Sequence, residues 1–225
     1  MDYHVPETLN DDLTEAVIVH SSTLPWTPSP QQGVERRFLE RVGGEVARAT
    51  SIVRYAPGSS FPGHVHAKGE EYLVLSGTFS DRGGDFPEGS YVRNPPGSSH
   101  APFTERGCVI FVKLRQMCES DRAGLVVQTR TAGPLEVVSA GLSRLPLHRA
   151  ERGEQVAIET LEPGARWLER GRLGGEEILV LEGDLLYGDE ECSAGTWLRF
   201  PPGQERGLVS KGGCRLWVKR GHLGS

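Results

Sequence analysis

The chain has 225 residues, including 29 glycines and 15 prolines, and its formal net charge is −5 at pH 7. This composition favours short strands joined by tight turns over helices. The acidic balance argues against a nucleic-acid surface, which needs a basic face. No apolar run is long enough to span a bilayer and no leader pattern opens the sequence, so we expect a cytoplasmic protein that neither crosses a membrane nor binds nucleic acid.

The predicted elements begin with an arm, residues 1–33, whose proline-rich end breaks regular structure. Within the arm, AVIVH (16–20) is typical of an edge strand that packs on one of the units that follow. Next, RRFLERV (36–42) and VARATSIVRYAPG (46–58) are expected to form a hairpin across the turn between them. The further strands expected in this unit are EEYLVLSGTFSD (70–81), SYVRNPPGSSHAPF (90–103) and CVIFVKLR (108–115).

Four residues within these strands have the chemistry of a metal site. His64 and His66 flank Val65, so in a strand both imidazoles face the same side. Glu70 keeps that parity if the intervening turn is a tight reversal, and His100 follows a rigid Pro-Pro-Gly turn that aims it inward. Three imidazoles and a carboxylate, with no thiolate, suit zinc, iron(II), manganese, nickel or copper. The alternative is a set of hydrogen-bonded core or surface histidines.

The chain then repeats itself at a constant offset of 106 residues. Three blocks share this offset without a gap: GSSFPGHVHAKGEEYLVLSG (58–77) on GARWLERGRLGGEEILVLEG (164–183), GSYVRNPPGSSH (89–100) on GTWLRFPPGQER (195–206), and CVIFVKLR on CRLWVKRG (214–221). Such agreement indicates a tandem duplication. We therefore predict an all-β chain of two similar units, residues 34–118 and 135–225, joined by a linker at 119–134. Short antiparallel strands with turns between them favour a small barrel or jelly roll for each unit.

The second unit has lost the nitrogen ligands of the first. At the shared offset the three histidines become arginines and the glutamate stays: the residues are Arg170, Arg172, Arg206 and Glu176. Guanidinium groups remain protonated and repel a cation, so the second unit is expected to be metal-free. Three interpretations of the arginines stay open. They form a salt-bridge network around the glutamate, they line a pocket for a carboxylate or phosphate, or they turn out to solvent.

The spacing of the first unit resembles the two motifs of the cupin superfamily. Gly58, His64, His66, Glu70 and Gly77 match G-x5-H-x-H-x3-E-x6-G in full. The second motif, G-x5-P-x-G-x2-H-x3-N, is met by Gly89, Pro95, Gly97 and His100, with Thr104 in place of the asparagine. The resemblance implies two tandem cupin barrels, each a double-stranded β-helix of the jelly-roll type. It also implies His64, His66, Glu70 and His100 as ligands of one divalent metal ion per chain.

More narrowly, the run from EEYLVL through the FSD turn to YVRNPPGSSH resembles the cupin module of ChrR-type anti-sigma factors. This resemblance implies a regulatory sensor that binds zinc, with iron, manganese or nickel as alternatives, and that responds to oxidative stress or a small-molecule ligand. It also implies an extracytoplasmic-function sigma factor as a partner. In such proteins a separate N-terminal helical domain with His and paired Cys ligands binds the sigma factor. The arm is short and has no cysteine, so we do not expect that domain in this sequence.

An enzyme is the alternative to a sensor. Cupin dioxygenases of related sequence use iron(II) in a histidine-rich site, which would imply cleavage of a carbon–carbon bond in a small ketone or diketone. The aromatic residues that would line such a pocket are Tyr72, Phe79, Phe103 and Phe111. A homodimer is compatible with either function.

Overall fold

The computed structural model describes residues 5–44, 46–133, 135–150 and 153–223. It is built almost entirely of β-strands, with one short 3-10 helix at Ser21–Thr23, and the chain divides into two compact units. The prediction of an all-β chain in two tandem units is therefore confirmed. Within the described residues, the structure contains no helix with the length and apolarity that crossing a membrane requires.

The strands are numbered here in chain order. The first twelve are β1 (Thr8–Leu9), β2 (Val17–His20), β3 (Thr27–Pro28), β4 (Val34–Val42), β5 (Arg48–Tyr55), β6 (His64–Val65), β7 (Glu70–Asp81), β8 (Gly84–Pro87), β9 (Ser90–Asn94), β10 (Ser99–His100), β11 (Cys108–Leu114) and β12 (Leu125–Gln128). The remaining nine are β13 (Glu136–Ser139), β14 (Leu142–Arg149), β15 (Gln155–Leu161), β16 (Arg166–Arg170), β17 (Glu176–Tyr187), β18 (Glu190–Ser193), β19 (Thr196–Phe200), β20 (Glu205–Val209) and β21 (Cys214–Arg220).

The two units repeat one sheet topology. The main sheet of the first unit has the order β1-β4-β5-β11-β7-β9-β12, and that of the second has β13-β14-β15-β21-β17-β19-β2. A small ladder accompanies each main sheet, β6 with β10 in the first unit and β16 with β20 in the second. The predicted hairpin is confirmed, because β4 pairs antiparallel with β5 from Val34 opposite Tyr55 to Val42 opposite Arg48.

One edge strand of each main sheet comes from outside the predicted unit. β2 lies in the arm, yet it pairs with β19 and belongs to the second compact unit, whose first segment is Asp12–Thr23. β12 lies in the expected linker, yet it pairs with β9 and belongs to the first compact unit, whose main segment is Leu24–Thr131. β2 and β12 pair with strands that correspond at the 106-residue offset. β2 precedes the first predicted unit but completes the sheet of the second, and β12 precedes the second predicted unit but completes the sheet of the first.

Alternating residues on the inner strands form a separate apolar core in each unit. In the first unit the core residues include Val53, Tyr72, Val74, Val92 and Ile110, with each strand contributing every second position. The second unit has an equivalent core, which includes Ile178, Val180, Leu198, Leu216 and Val218. These cores fix the inner strands as rigid walls, so that the polar inner residues at the end of each barrel are held by packed neighbours.

Candidate metal centre

A short ladder at one end of the first barrel carries three of the four candidate ligands on or beside it. β6 pairs antiparallel with β10, and His64 lies directly opposite His100. Strand alternation turns Val65 outward, where it is 65% exposed, and returns His66 to the inner side. The backbone N–H of His66 donates to the carbonyl of Ser98 at 2.9 Å, which fixes this residue just after β6. The three imidazoles therefore converge on one side, as the strand parity predicts.

Glu70 enters the site from the first residue of β7. The turn before it requires glycine, because Gly69 has a φ of +74° and a Cβ there would collide with Sδ of Met117. This tight turn directs the Glu70 carboxylate toward the histidines. Glu71 faces the opposite side of the strand, where Arg93 Nη1 donates to its carboxylate at 2.7 Å.

The four side chains offer ligand atoms at the spacing of a metal site. One ligand atom from each of His64, His66, Glu70 and His100 lies within 4.8 Å of all the others. His66 Nε2 is 3.3 Å from His64 Nε2. Glu70 Oε1 is 3.5 Å from His66 Nε2 and 3.4 Å from His100 Nε2. Ligands arranged tetrahedrally about 2.1 Å from an ion would be about 3.4 Å apart, so these distances match.

Each histidine is held by an acceptor on its other nitrogen. His64 Nδ1 lies 2.9 Å from the Pro62 carbonyl, and His100 Nδ1 lies 2.9 Å from Asp81 Oδ2. His66 Nδ1 lies 3.0 Å from the hydroxyl oxygen of Ser98, which in turn donates its own proton to a backbone carbonyl. All three acceptors bind an Nδ1–H, which leaves a lone pair on each inward-facing Nε2.

Burial favours the neutral forms of His66 and His100. Burial, with smaller contributions from His100 and His64, lowers the pKa of His66 to about 4. Burial also lowers the pKa of His100, although the hydrogen bond to Asp81 opposes this shift. Burial raises the pKa of Glu70 to about 7, since its negative charge is costly without a cation nearby. At neutral pH the rings of His66 and His100 therefore present free lone pairs to the centre.

The donor set fits a divalent transition metal ion. His64 and His66 bring their Nε2 atoms to 3.3 Å, and Glu70 Oε1 lies 3.4 to 3.5 Å from Nε2 of His100 and His66. A cation between these lone pairs would stabilise the arrangement. The outward Nδ1 hydrogen bonds are those that orient metal-binding histidines in general. Nitrogen-rich donors with one carboxylate and no thiolate are the ligands of zinc, iron, manganese, nickel and copper.

Sequence reasoning missed the residues that orient the ligands. Asp81 supports His100, Ser98 supports His66, and Asn94 donates from Nδ2 to Glu70 Oε1 at 3.1 Å. Asn94 lies opposite Glu70 in the ladder between β7 and β9, so strand pairing was the signal that would have found it. Asp81 has the opposite sequence parity to Glu70, and it reaches the same side because the register between β7 and β11 shifts at a bulge.

In the second barrel the Glu176 carboxylate lies between two guanidinium groups. Arg206 Nη2 donates to Oε2, and Arg220 Nε lies 2.6 Å from Oε1. Arg220 also binds Glu159 with its two terminal nitrogens, at 2.8 and 2.9 Å. On the far side Arg144 Nε donates to Glu159 at 2.6 Å. These five residues alternate in charge and form a continuous chain of ion pairs through the barrel, which we call the arginine–glutamate chain.

An indole ring covers this chain. The guanidinium carbon of Arg206 lies 3.9 Å from the ring centroid of Trp167, and that of Arg220 lies 5.0 Å from it. Burial, reinforced by the neighbouring Arg220, lowers the pKa of Arg206 to about 9, so the group stays charged at neutral pH. Of the three interpretations of the arginines, this geometry favours the salt-bridge network, with cation–π contacts completing it.

The remaining two arginines do not converge as the aligned sequence suggests. In the ladder between β16 and β20, Glu169 rather than Arg170 lies opposite Arg206, whereas His64 lies opposite His100 in the first barrel. This shift of one residue exchanges the two faces of the strand. Arg170 is consequently exposed, and Glu169 turns inward to form an ion pair with Arg172 at 3.1 Å.

The four aromatic residues proposed as a pocket lining have different locations. Tyr72 and Phe79 lie in the core of the first barrel with their ring centroids 5.2 Å apart, and the Phe79 ring is 6.2 Å from that of His100. Phe111 is buried between two core residues of β11, so alternation turns it to the other face of the sheet. Phe103 is 39% exposed. Only the first two lie where they would border the candidate centre.

Two tandem antiparallel barrels, one with a His, His, Glu, His cluster at its end, define a protein of the cupin superfamily. The family comparison narrows this class. The model of the ChrR cupin-like domain matches residues 14–118 and again 122–224, which is most of the chain. The chain therefore belongs to the ChrR cupin-like family and contains two copies of its domain.

Solved structures agree with the fold. A candidate dioxygenase from Nostoc punctiforme is similar over 100% of this chain and 96% of its own, with a TM-score of 0.77 and 13% identity. The pirin YhhW from Escherichia coli, solved in complex with nickel(II), is similar over 92% of this chain and 98% of its own, with a TM-score of 0.69 and 10% identity. Salicylate 1,2-dioxygenase from Pseudoaminobacter salicylatoxidans, solved with gentisate, is similar over 96% of this chain and 83% of its own, with a TM-score of 0.66 and 13% identity. No curated protein matches the chain.

Proposed function

We propose that the chain is a metal-dependent sensor of the ChrR type, in which the first barrel binds one divalent ion, preferably zinc. The observation that carries this proposal is the convergence of three outward-anchored imidazoles and a buried carboxylate on one point. His64, His66, Glu70 and His100 would hold the ion. When bound, zinc would supply a Lewis-acidic position at which a small ligand or oxidant is detected.

The protein's own residues would convert a change at this position into a change of structure. His64 and His100 lie opposite each other on β6 and β10, so altered ligation changes the spacing of this two-stranded ladder. His66 is tied to Ser98 through both its ring and its backbone, which couples the same ligand set to the loop before β10. We propose that this ladder and loop signal to a partner, for which an extracytoplasmic-function sigma factor is the choice that the family supports.

An iron(II)-dependent dioxygenase acting on a small ketone or diketone is the second candidate. It is supported by the similarity of the whole chain to one candidate dioxygenase and to salicylate 1,2-dioxygenase. The aromatic rings of Tyr72 and Phe79 inside the barrel would border the substrate. In this function His64, His66, Glu70 and His100 would hold iron, which would supply binding positions for substrate and dioxygen.

Metal analysis separates the two candidates. Protein purified without added metal should contain about one zinc ion per chain if it is a sensor. Iron at that level, together with oxygen consumption on addition of acetylacetone, would instead support the dioxygenase. The His66→Ala variant should lose the ion in either case, whereas Arg172→Ala at the corresponding position of the second barrel should retain it. A first barrel that binds no divalent ion would contradict both functions.

The sigma-factor part of the proposal needs its own experiment. We expect a sigma factor of the extracytoplasmic-function class to co-purify with the tagged full chain, and an oxidant such as hydrogen peroxide to change the amount recovered. His66→Ala should abolish this response. Equal recovery from wild-type and variant protein, or none from either, would remove the sigma factor as the partner while leaving the metal centre intact.

A further inference from the structure

One cation inside the first barrel has no carboxylate paired with it among the described residues. Arg36 lies on the inner face of β4, two residues from the core residue Val34, and it is directly opposite Val53 on β5. Its Nε is buried and makes no hydrogen bond within the described part of the chain. Burial lowers the pKa of Arg36, and the nearby Tyr55 and Glu70 oppose that shift, which places the guanidinium within electrostatic range of the candidate metal centre. A guanidinium nevertheless stays protonated at neutral pH.

In the second barrel, the arginine at the equivalent position of the ladder is paired with a carboxylate. Arg144 lies opposite Glu159 in the ladder between β14 and β15, and Glu159 corresponds to Val53 at the 106-residue offset. Arg144 donates to Glu159 at 2.6 Å and so belongs to the arginine–glutamate chain. The first barrel keeps the arginine but has valine where the carboxylate would be. An anion from outside the chain would fill the role that Glu159 fills in the second barrel.

A second unused donor faces the same interior. Tyr72 is 1% exposed, and its hydroxyl is buried without a hydrogen-bond partner among the described residues. It lies two residues after Glu70 on the inner face of β7 and belongs to the core of the first barrel. A buried hydroxyl without an acceptor is costly, and a ligand oxygen would remove that cost.

The charge balance also favours an anion. The charged groups near the centre, in the part of the chain that the structure describes, include Glu70, Asp81 and Arg36, and the buried Arg41 interacts with Arg36. A divalent ion would add two positive charges, so even without Arg41 the set would carry an excess of about one positive charge with both carboxylates ionised. In the low-dielectric interior of a barrel such an excess attracts an anionic ligand and disfavours a neutral one.

We propose that the first barrel binds a small organic carboxylate beside its metal centre, with the Arg36 guanidinium as the carboxylate anchor and the Tyr72 hydroxyl as a second donor. The inference rests on the proposed function and names the chemical class of the ligand that the sensor detects or the enzyme transforms. Planar guanidinium groups bind carboxylates through two parallel hydrogen bonds, which gives both affinity and orientation.

Isothermal titration calorimetry on the zinc-loaded full chain tests this assignment. The probes are pyruvate, malonate and benzoate, each compared with its neutral amide. We expect at least one carboxylate to bind about tenfold or more tightly than its amide. Arg36→Gln should weaken that carboxylate by about 10- to 100-fold and remove the preference. Arg36→Lys should be intermediate, because an ammonium group lacks the bidentate geometry.

Two matched variants control for general effects of substitution. Arg37→Gln changes the next residue of the same strand, which faces the other side and stacks over Trp26 at 4.3 Å, and it should bind carboxylates like the wild type. Val53→Glu introduces the carboxylate of the second barrel at the corresponding position. It should pair with Arg36 internally and block the carboxylate as Arg36→Gln does. Equal binding by wild type, Arg36→Gln and Val53→Glu would overturn the assignment.

The metal content of each variant separates this inference from the proposed function. Wild-type protein that holds zinc but shows no preference for any carboxylate over its amide would disprove the carboxylate site and leave the metal centre standing. Wild-type protein that holds no divalent ion but binds a carboxylate through Arg36 would disprove the metal-dependent function and leave the anchor standing. Normal zinc content in Arg36→Gln, together with lost binding, supports both.

Discussion

Glu70 and Glu176 occupy the same position in the two barrels, the first residue of a long inner strand, and each is almost completely buried. Their surroundings differ. Glu70 faces three imidazoles and an asparagine, while Glu176 lies between the guanidinium groups of Arg206 and Arg220. Within the described residues, the Glu70 carboxylate has no arginine or lysine ion pair, whereas the Glu176 carboxylate contacts two guanidinium groups.

The comparison shows how one scaffold is either kept open for a metal ion or closed by its own side chains. The first barrel uses three histidines and their outward hydrogen bonds to build a centre that is complete only with an ion. The second barrel reaches the same charge compensation with residues from several strands, which carry Arg144, Glu159, Glu176, Arg206 and Arg220. Its interior therefore needs no external cation.

The largest expected difference between the barrels is in metal binding. His66→Ala removes a buried ligand, and His100→Ala removes another, so each should lower zinc affinity by more than about 100-fold. Substituting the corresponding Arg172 or Arg206 by alanine should leave zinc affinity unchanged, because both residues belong to the second barrel and neither is one of the four candidate ligands. Elemental analysis and competition with a chromophoric chelator would measure both. Zinc loss in the Arg206 variant would contradict the assignment of the metal centre to the first barrel alone.

Substitution of the two glutamates should change the free energy of unfolding by very different amounts. Glu176→Gln leaves the buried Arg206 without the carboxylate to which it donates, and it leaves Arg220 with Glu159 alone. This should lower the free energy of unfolding by about 3–5 kcal/mol. Glu70→Gln should change it by less than about 1 kcal/mol in metal-free protein, because burial already raises the pKa of Glu70 to about 7 and the neutral amide resembles the protonated acid.

Urea unfolding of both variants in the presence of a chelator measures this contrast. The wild type in the same buffer is the reference, and circular dichroism confirms that each variant is folded at the start. Equal destabilisation by the two substitutions would mean that the arginine–glutamate chain does not stabilise the second barrel in the way its geometry indicates.

A smaller effect is expected from the residue that orients His100. Asp81→Asn weakens the hydrogen bond to Nδ1 without removing a ligand, so zinc affinity should fall by about 10- to 100-fold. Asp184→Asn is the control, because the Asp184 carboxylate accepts only from backbone N–H groups of a turn in the second barrel among the hydrogen bonds of the described residues. An unchanged affinity in the Asp81 variant would show that ring orientation is set by packing alone.

Spacing and strand parity were sufficient to predict the four candidate ligands, since His64, His66, Glu70 and His100 all lie near strand ends whose alternation is regular. They were not sufficient where the register changes. The bulge in β7 brings Asp81 inward against its sequence parity, and the one-residue shift between β16 and β20 sends Arg170 outward. An ungapped alignment of two repeats contains no sign of either event.

Partners that lie on different strands could not be predicted from the sequence either. Glu159 and Arg220 join the arginine–glutamate chain from β15 and β21, which neighbour each other only once the sheet has formed. Arg36 stood in a predicted strand, but its significance depends on the valine opposite it and on the glutamate at the same place in the second barrel. Pairing across strands, rather than position along one strand, determines what these side chains do.

The exchange of β2 and β12 has a consequence for the history of the chain. A copy of the ancestral domain cut out at either family boundary would lose the edge strand of its sheet and retain an opening strand with nothing to pair with. After duplication, neither half could be discarded without exposing a row of unpaired backbone groups in the other. Because the first sheet takes its edge strand β12 from the second repeat, deletion of that repeat would also disrupt the first barrel. This would explain why a copy without a metal centre has not been deleted.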